Sequence, residues 1–454
     1  MAATKGKIST PFARTAASIR ICHRSAGMKL QVETVEIKNV QAGPKTHVSD
    51  HQMNVNLQEL EKIILADGRI QSVNLDWVYP GDRVRIVNVV DVIQPRCKMD
   101  PAEEDFPGWL GKLKTAGEGR TRSLQGVSVI LSNPVSKRSY SGIVDMFDRG
   151  AEWSKYGKLI NLCVDPQPAG STEERDFEAA VKLAGLKAAV YLAKAAEGHP
   201  ADQVEVFDLD LSRQKGSTLP KVAYAFLLYT PQHDYQGISD PVLYGTEISQ
   251  SLPLILHPNE ILDGGIVNPH TIRGMDTYSL QNHAVIKELY QRHGQELLFT
   301  GVVVYAASLE PVKRQRAALM VGHLVKNVLG AEGVILNKVH GGMPHIDMAL
   351  AAEACEKQGV KSVLLIQFFE SSTSLAEGAL FNSQTLDAVV NVGQTLERIH
   401  LARADKILGG SAGTRIYNPH FTQKADDAVI DIEGFLLAGF HDHLGGSKIK
   451  AVDY

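Results

Sequence analysis

Residues 264–283 read GGIVNPHTIRGMDTYSLQNH and gather Asn268, His270, Thr271, Arg273, Asp276 and His283 in one short span. Gly264-Gly265-Ile266-Val267 has the pattern of a buried strand, and an amphipathic helix is expected to begin near His283. Imidazoles and a carboxylate at the mouth of a strand can exchange protons or hold a divalent ion. Seven of the 16 histidines fall between His257 and His345. His340 and His345 flank Gly-Gly-Met-Pro after another apolar strand, and Asp347 falls in the first turn of a helix opened by Pro344. Glu370 ends a neighbouring apolar run.

These residues point to a metal site made of His270, His340 and His345. Neutral imidazoles suit Zn foremost, with Fe, Ni and Mn as alternatives, and leave a position open for water or substrate. Glu370 and Asp347 are the expected proton carriers. His233 and Asp234 follow the apolar run AYAFLLYT and are expected to act as a general base or to orient a ligand. Ser371, Ser372 and Thr373, with Arg273, are the expected anchors of a substrate carboxylate. The same hydroxyl run also reads as the N-cap of the helix SLAEGALF. Other histidines have simpler readings: His323 as a core residue on an apolar helix face, His293 as a cation at a helix C-terminus, and His257 as a strand-end residue. His283 divides between helix cap and site.

The elements that must position these groups follow from hydrophobic period. KLQVETVEIKNV and RVRIVNVVDVI alternate as strands, with the helix NLQELEKIILADG between them. STEERDFEAAVKLAGLKAAVYLAKAAEG is a long helix with Ser171 or Thr172 as N-cap and acids in its first turn. KVAYAFLLYT, ELLFTGVVVYAAS, AEGVILNKV, KSVLLIQFF and LDAVVNVG are strands, several separated by helical segments. That alternation predicts an α/β protein of Rossmann or flavodoxin-like type, parallel sheets with flanking helices, preceded by a small α+β domain. The expected division is an extension over 1–27, the small domain over 28–95, a first α/β domain over 96–262 and a second over 263–454.

Composition narrows the function classes. A net charge of -4 without a basic stripe gives no reason to expect nucleic acid. The apolar runs are too short to span a bilayer, so no membrane partner is expected. Cys22, Cys97, Cys163 and Cys355 are far apart and form no CxxC, which suits a reducing cytoplasm. Residues 1–27 carry Lys5, Lys7, Arg14, Arg20 and Arg24 but no acid, and read as a dispensable extension or an organellar presequence. No Walker loop, GxGxxG, GxSxG or HExxH occurs, so no nucleotide cofactor is indicated.

From Met28 to about Gly410 the chain resembles the α/β precursor subunit of component B of the glycine, sarcosine and betaine reductases. The resemblance lies in MKLQVETVEIKNVQAG, DVIQPRCK, AAVKLAGLKAAVYLAKAAE, LPKVAYAFLL, LDGGIVN, AVIKELYQRHG and LDAVVNVG, in the family's order. The family also has His-Asp near the position of His233-Asp234 and a histidine like His293. It implies a precursor that cleaves itself at an Xaa–Cys bond, a pyruvoyl group that condenses with a substrate amine, and a selenoprotein partner. Here the corresponding loop is VNPHTIRGMD, with no cysteine between Cys163 and Cys355. A pyruvoyl group is therefore not expected. Together the readings favour a homo-oligomeric enzyme for metal-assisted cleavage of a C–N or acyl bond in a small carboxylated amine or amide. The alternatives are a reductase subunit acting with partner subunits on a glycine- or betaine-like amine, and a non-catalytic small-molecule binding protein.

Overall fold

The computed structural model describes residues 28–102, 104–135, 142–209, 216–231, 240–268, 275–338, 344–368, 379–386, 388–394, 398–418, 421–446 and 450–453. Among them are three principal sheets. The first has the order Gln203–Asp208, Lys29–Glu36, Gly119–Gln125, Arg96–Asp100. The second runs Gly142–Asp145, Val84–Ile93, Val127–Ser132, Ile160–Pro168, Ile70–Val78, with Lys406–Leu408 added in parallel to Val84–Ile93. Residues on both sides of positions 95 and 96 thus share one sheet, and the chain after position 398 returns to it.

Helix Glu174–Lys194 covers this part of the molecule through Phe177, Ala180, Val181, Ala184, Ala188 and Ala189. Its small residues allow close approach: a Cβ on Gly185 would lie 2.4 Å from the Leu131 side chain. The expected cap is corrected here. Glu173 occupies the N-cap without a side-chain bond, because the Thr172 hydroxyl donates to the Ala169 carbonyl at 2.7 Å instead.

The third sheet has seven strands in the order Leu254–Leu256, Leu298–Ala306, Lys221–Tyr229, Gly333–Lys338, Lys361–Phe368, Ala388–Gln394, Lys450–Asp453. The inner five are mutually parallel and the two edge strands antiparallel. Parallel strands are buried on both faces and so read as unbroken apolar runs. Lys221–Tyr229 shows this directly. Tyr224, Phe226 and Leu228 face helix Ala284–Arg292, while Ala223, Ala225 and Leu227 face helices Pro311–His323 and Pro344–Glu356. Helices on opposite faces confirm the α/β class.

Buried charge joins the parts. Arg85, fully buried, binds both Asp145 carboxylate oxygens at 2.7 Å and donates to the carbonyls of Ala402 and Ala425 at 2.7 and 2.9 Å. This guanidinium fastens the returning C-terminal chain onto the second sheet.

Candidate functional site

The segment Gly264-Gly265-Ile266-Val267 does not form the expected strand. Pro258–Leu262 is a short helix, Gly264 follows it at φ +86°, and only Ile266 makes a bridge, to Leu243. The left-handed backbone at Gly264, with a prospective Cβ 2.8 Å from the Phe106 ring, explains the glycine and breaks the strand pattern. Residues 269–274 lie outside the described residues, but both ends of that segment are firmly held. Before it, Asp263 accepts from Lys98 Nζ at 2.5 Å, from the Thr121 hydroxyl at 2.6 Å and from the Gly117 N–H at 2.9 Å. The Asn268 N–H donates to the Thr277 hydroxyl at 3.1 Å, and its carbonyl accepts from Lys182 Nζ. Thr277 donates its N–H and hydroxyl to Asp91 at 2.8 and 2.6 Å, and Lys182 stands 3.8 Å from that carboxylate. Burial pushes the Asp91 carboxyl up to about 6, although Lys182 and the Thr277 bonds oppose the rise.

After the segment, Asp276 caps helix Thr277–Gln281 and accepts from the Ser279 N–H and hydroxyl at 2.7 and 2.8 Å. Lys155 Nζ donates to the Ser279 oxygen at 2.7 Å and pairs with Asp442 at 3.3 Å. Burial tends to lower the Lys155 ammonium, but Asp442 and Asp276 outweigh it and hold it above its ordinary range. The polar groups of Asp263, Asn268, Asp276, Thr277 and Ser279 are therefore structural: they lock residues 263–268 and 275–283 onto the first two sheets.

Two cavities border these anchors. One of about 290 Å³ lies beside Lys182 and is lined by Trp109, Arg175, Asp176, Glu178 and Asp240. The other, about 490 Å³, is lined by Trp153, Lys155, Lys158, Gly393, His441 and Asp442. It opens where Ala388–Gln394 ends. Burial holds His441 near pKa 4, and Gln367 Nε2 donates to its Nδ1 at 2.9 Å.

Of the residues singled out from sequence, His345 and Asp347 are described. His345 is fully buried and donates from Nδ1 to the Ala379 carbonyl at 2.7 Å. Burial and the neighbouring Lys338 hold its imidazole well below the usual range. Asp347 accepts from the Ser308 N–H and pairs with Arg314 Nε, both at 3.1 Å. His233, Asp234, His270, Arg273, His340, Glu370, Ser371, Ser372 and Thr373 lie outside the described residues. Among the described residues no three His, Cys, Asp or Glu side chains gather so as to hold a metal.

The remaining histidines are placed more clearly. His283 is a buried helix cap: Nδ1 accepts from the Ile286 N–H at 3.5 Å, Nε2 meets the Tyr224 hydroxyl at 3.1 Å, and burial lowers its pKa to about 3. His257 caps Pro258–Leu262 in a reciprocal box with Glu260, so it belongs to the helix start rather than to a strand end. His293 ends its helix, but burial lowers its pKa and Nδ1 accepts from the Phe299 N–H at 3.0 Å; it serves as an acceptor and not as a cation. His323 is exposed and meets Asn327 at 3.1 Å, not the core, because it falls on the outer side of its helix. Sequence reasoning passed over Asp91, Lys155, Lys182 and Lys338. For Lys338 a signal existed: in GVILNK the buried alternation Val334, Leu336 arrives at a lysine.

Parallel strands covered by helices on both faces define an α/β protein. The chain belongs to the family of glycine/sarcosine/betaine reductase component B subunits, whose model matches residues 28–451. It is 32% identical over 437 residues to the glycine reductase complex component B subunits alpha and beta of Acetoanaerobium sticklandii, covering 94% of this chain and all of that one. It is 33% identical to the sarcosine reductase complex component B subunit alpha of Peptoclostridium acidaminophilum, over 84% of this chain and 89% of the relative. The betaine reductase complex component B subunit alpha of the same organism is 29% identical, over 94% and 99%. No solved structure matches the chain. No helix among the described residues is long and apolar enough to cross a membrane.

The residues present do not suit the pyruvoyl group that the resemblance implies. In the resemblance that group forms from a cysteine at the position between Val267 and Asp276, and the sequence has none there. The described thiols are no substitute: Cys97, Cys163 and Cys355 are buried, and burial pushes Cys97 and Cys355 up to about 12 and Cys163 still higher.

Proposed function

We propose that this chain is the substrate-binding subunit of a multi-component reductase of the component B type, working on a small carboxylated amine without a pyruvoyl group. Family membership over nearly the whole chain favours this over metal-dependent hydrolysis. The observation that carries it to a site is the cavity beside Lys182. Cations (Arg175, Lys182) and carboxylates (Asp176, Glu178, Asp240) line one small space that adjoins Asn268. A zwitterionic amino acid presents both charges at once, so a wall of mixed sign matches it better than it matches a simple anion. In this reading Arg175 and Lys182 draw the carboxylate, Glu178 and Asp240 draw the ammonium, and Trp109 closes the apolar side. The chain's own work is to bind and orient; electrons come from partner subunits. The inner strand order supports a flavodoxin-like reading of the third sheet.

Calorimetric titration of glycine, sarcosine and betaine, followed by reconstitution with reductase partner subunits, tests the proposal. Binding of at least one of them, weakened by Glu178→Gln, and amine release that depends on this chain are expected. Absence of binding to a folded protein, with no activity in any reconstitution, would refute it.

A further inference from the structure

The chain over residues 438–446 joins the part built on the second sheet to the third sheet. On one side the Ser154 hydroxyl donates to the Ala438 carbonyl at 2.5 Å, and the Lys155 N–H to the Gly439 carbonyl at 3.3 Å. On the other, Asn337 Nδ2 donates to the His443 carbonyl at 2.6 Å and Gln367 Nε2 to His441 Nδ1 at 2.9 Å. The cavity of about 490 Å³ lies at this junction, between residues 439–446 and the end of helix Asp148–Trp153. Gly393, next to the last residue of the inner parallel strand Ala388–Gln394, also lines it. Small-molecule sites occupy cavities of roughly 300–1,000 Å³, and favour such junctions and the carboxyl ends of parallel strands.

One wall is aromatic. Trp153 and Phe440 stack at 5.5 Å and 22°, and the Phe440 and His441 rings lie 4.5 Å apart at 30°. Gly393 leaves room for this row, since a Cβ there would come within 3.0 Å of the His441 ring. The charges of the cavity are unevenly spent. Asp442 accepts from the Leu444 N–H at 2.9 Å and from Lys155 Nζ at 3.3 Å. A lysine ammonium has three donors. Lys155 gives one to Asp442 and one to Ser279, and its side chain, 33% exposed, keeps the third for the cavity. Lys158 lines the same space and has no ion-pair partner among the described residues. Glu152 lines it too, but is exposed and screened by solvent. Two ammoniums therefore remain to donate charge-assisted hydrogen bonds to one anionic group.

We propose that this cavity is a second ligand site, which takes a small aromatic anion. The anionic group, a carboxylate or a phosphate ester, sits at Lys155 and Lys158, and the ring lies along Trp153 and Phe440. Flat apolar surface suits the aromatic wall, and the unanswered positive charge selects an anion over a zwitterion or a cation. The site is separate from the amine cavity beside Lys182, with which it shares no lining residue.

The test is calorimetric titration of the full-length chain with phenyl phosphate and with phenylacetate, which separates the two kinds of anion. Inorganic phosphate and benzyl alcohol each carry half of the recognised chemistry. At least one aromatic anion is expected to bind, about ten-fold more tightly than either half. Lys158→Gln should weaken it about five-fold at an unchanged melting temperature, because Lys158 is exposed. Trp153→Leu should weaken it as well. Failure of both aromatic anions to bind the folded chain would overturn the proposal, as would equal affinity in the wild type and Lys158→Gln, whether or not the Trp153 variant folds. The probes contain no amine and no partner subunit is present, so the result is independent of the reductase reading.

Discussion

At the residue scale, burial governs what the titratable groups can do. His257, His283 and His441 are held neutral, at pKa values of about 4, 3 and 4. Unfolded, each would titrate near 6.5. Below that pH the unfolded chain binds protons that the folded chain refuses, so stability is complete above about 6.5 and is lost as pH falls toward 4. Each such histidine costs up to ~1.4 kcal/mol per pH unit across that window. Denaturant midpoints measured from pH 7.5 to 4.5 should therefore fall steeply, and His283→Gln should flatten the slope. An unchanged slope in that variant would show that His283 is not the neutral cap described. The sequence placed this histidine correctly beside a helix start but could not show that Tyr224 from a distant strand closes over its other nitrogen. The same limit hid Lys182, which looks like a surface lysine in AAVKLAGLK until its helix is laid against the Asn268 carbonyl.

At the scale of elements, period was a good guide and end chemistry a poorer one. The long apolar strands and the helices between them fell where alternation put them, because a core enforces period along many residues at once. GGIV failed because four residues cannot distinguish a strand from a glycine-terminated helix end packed on Phe106. The anchor of that turn gives a direct test. Lys98 and Asp263 are 7% and 4% exposed at the side chain and 2.5 Å apart. Asp263→Ala strands the Lys98 ammonium and also releases Thr121 and the Gly117 N–H, so a loss of about 3–5 kcal/mol is expected from chemical denaturation. Exchanging both partners for apolar residues, Lys98→Met with Asp263→Leu, should recover much of it. A loss below about 1 kcal/mol for Asp263→Ala would mean that the pair is solvated and does not fix the stretch.

At the scale of the whole molecule, three sheets are tied by buried charge into an arrangement whose relatives are component B subunits of amino-acid reductases. The family was legible in ordered stretches of sequence, whereas the site was only partly so. Of the seven histidines between His257 and His345, His257, His283 and His293 are caps and acceptors, and the charged cavity beside Lys182 joins residues from positions 109 to 240 that no motif connects. The central claim is that the family scaffold operates here without its self-made ketone, because the stretch beside Asn268 has no thiol to cleave the chain. Denaturing mass spectrometry of the purified protein, before and after hydrazine, tests this most directly. An uncleaved species of about 49.5 kDa that gains no hydrazone is predicted. Two fragments divided between Val267 and Asp276, one of them taking up hydrazine at its new N-terminus, would contradict the account.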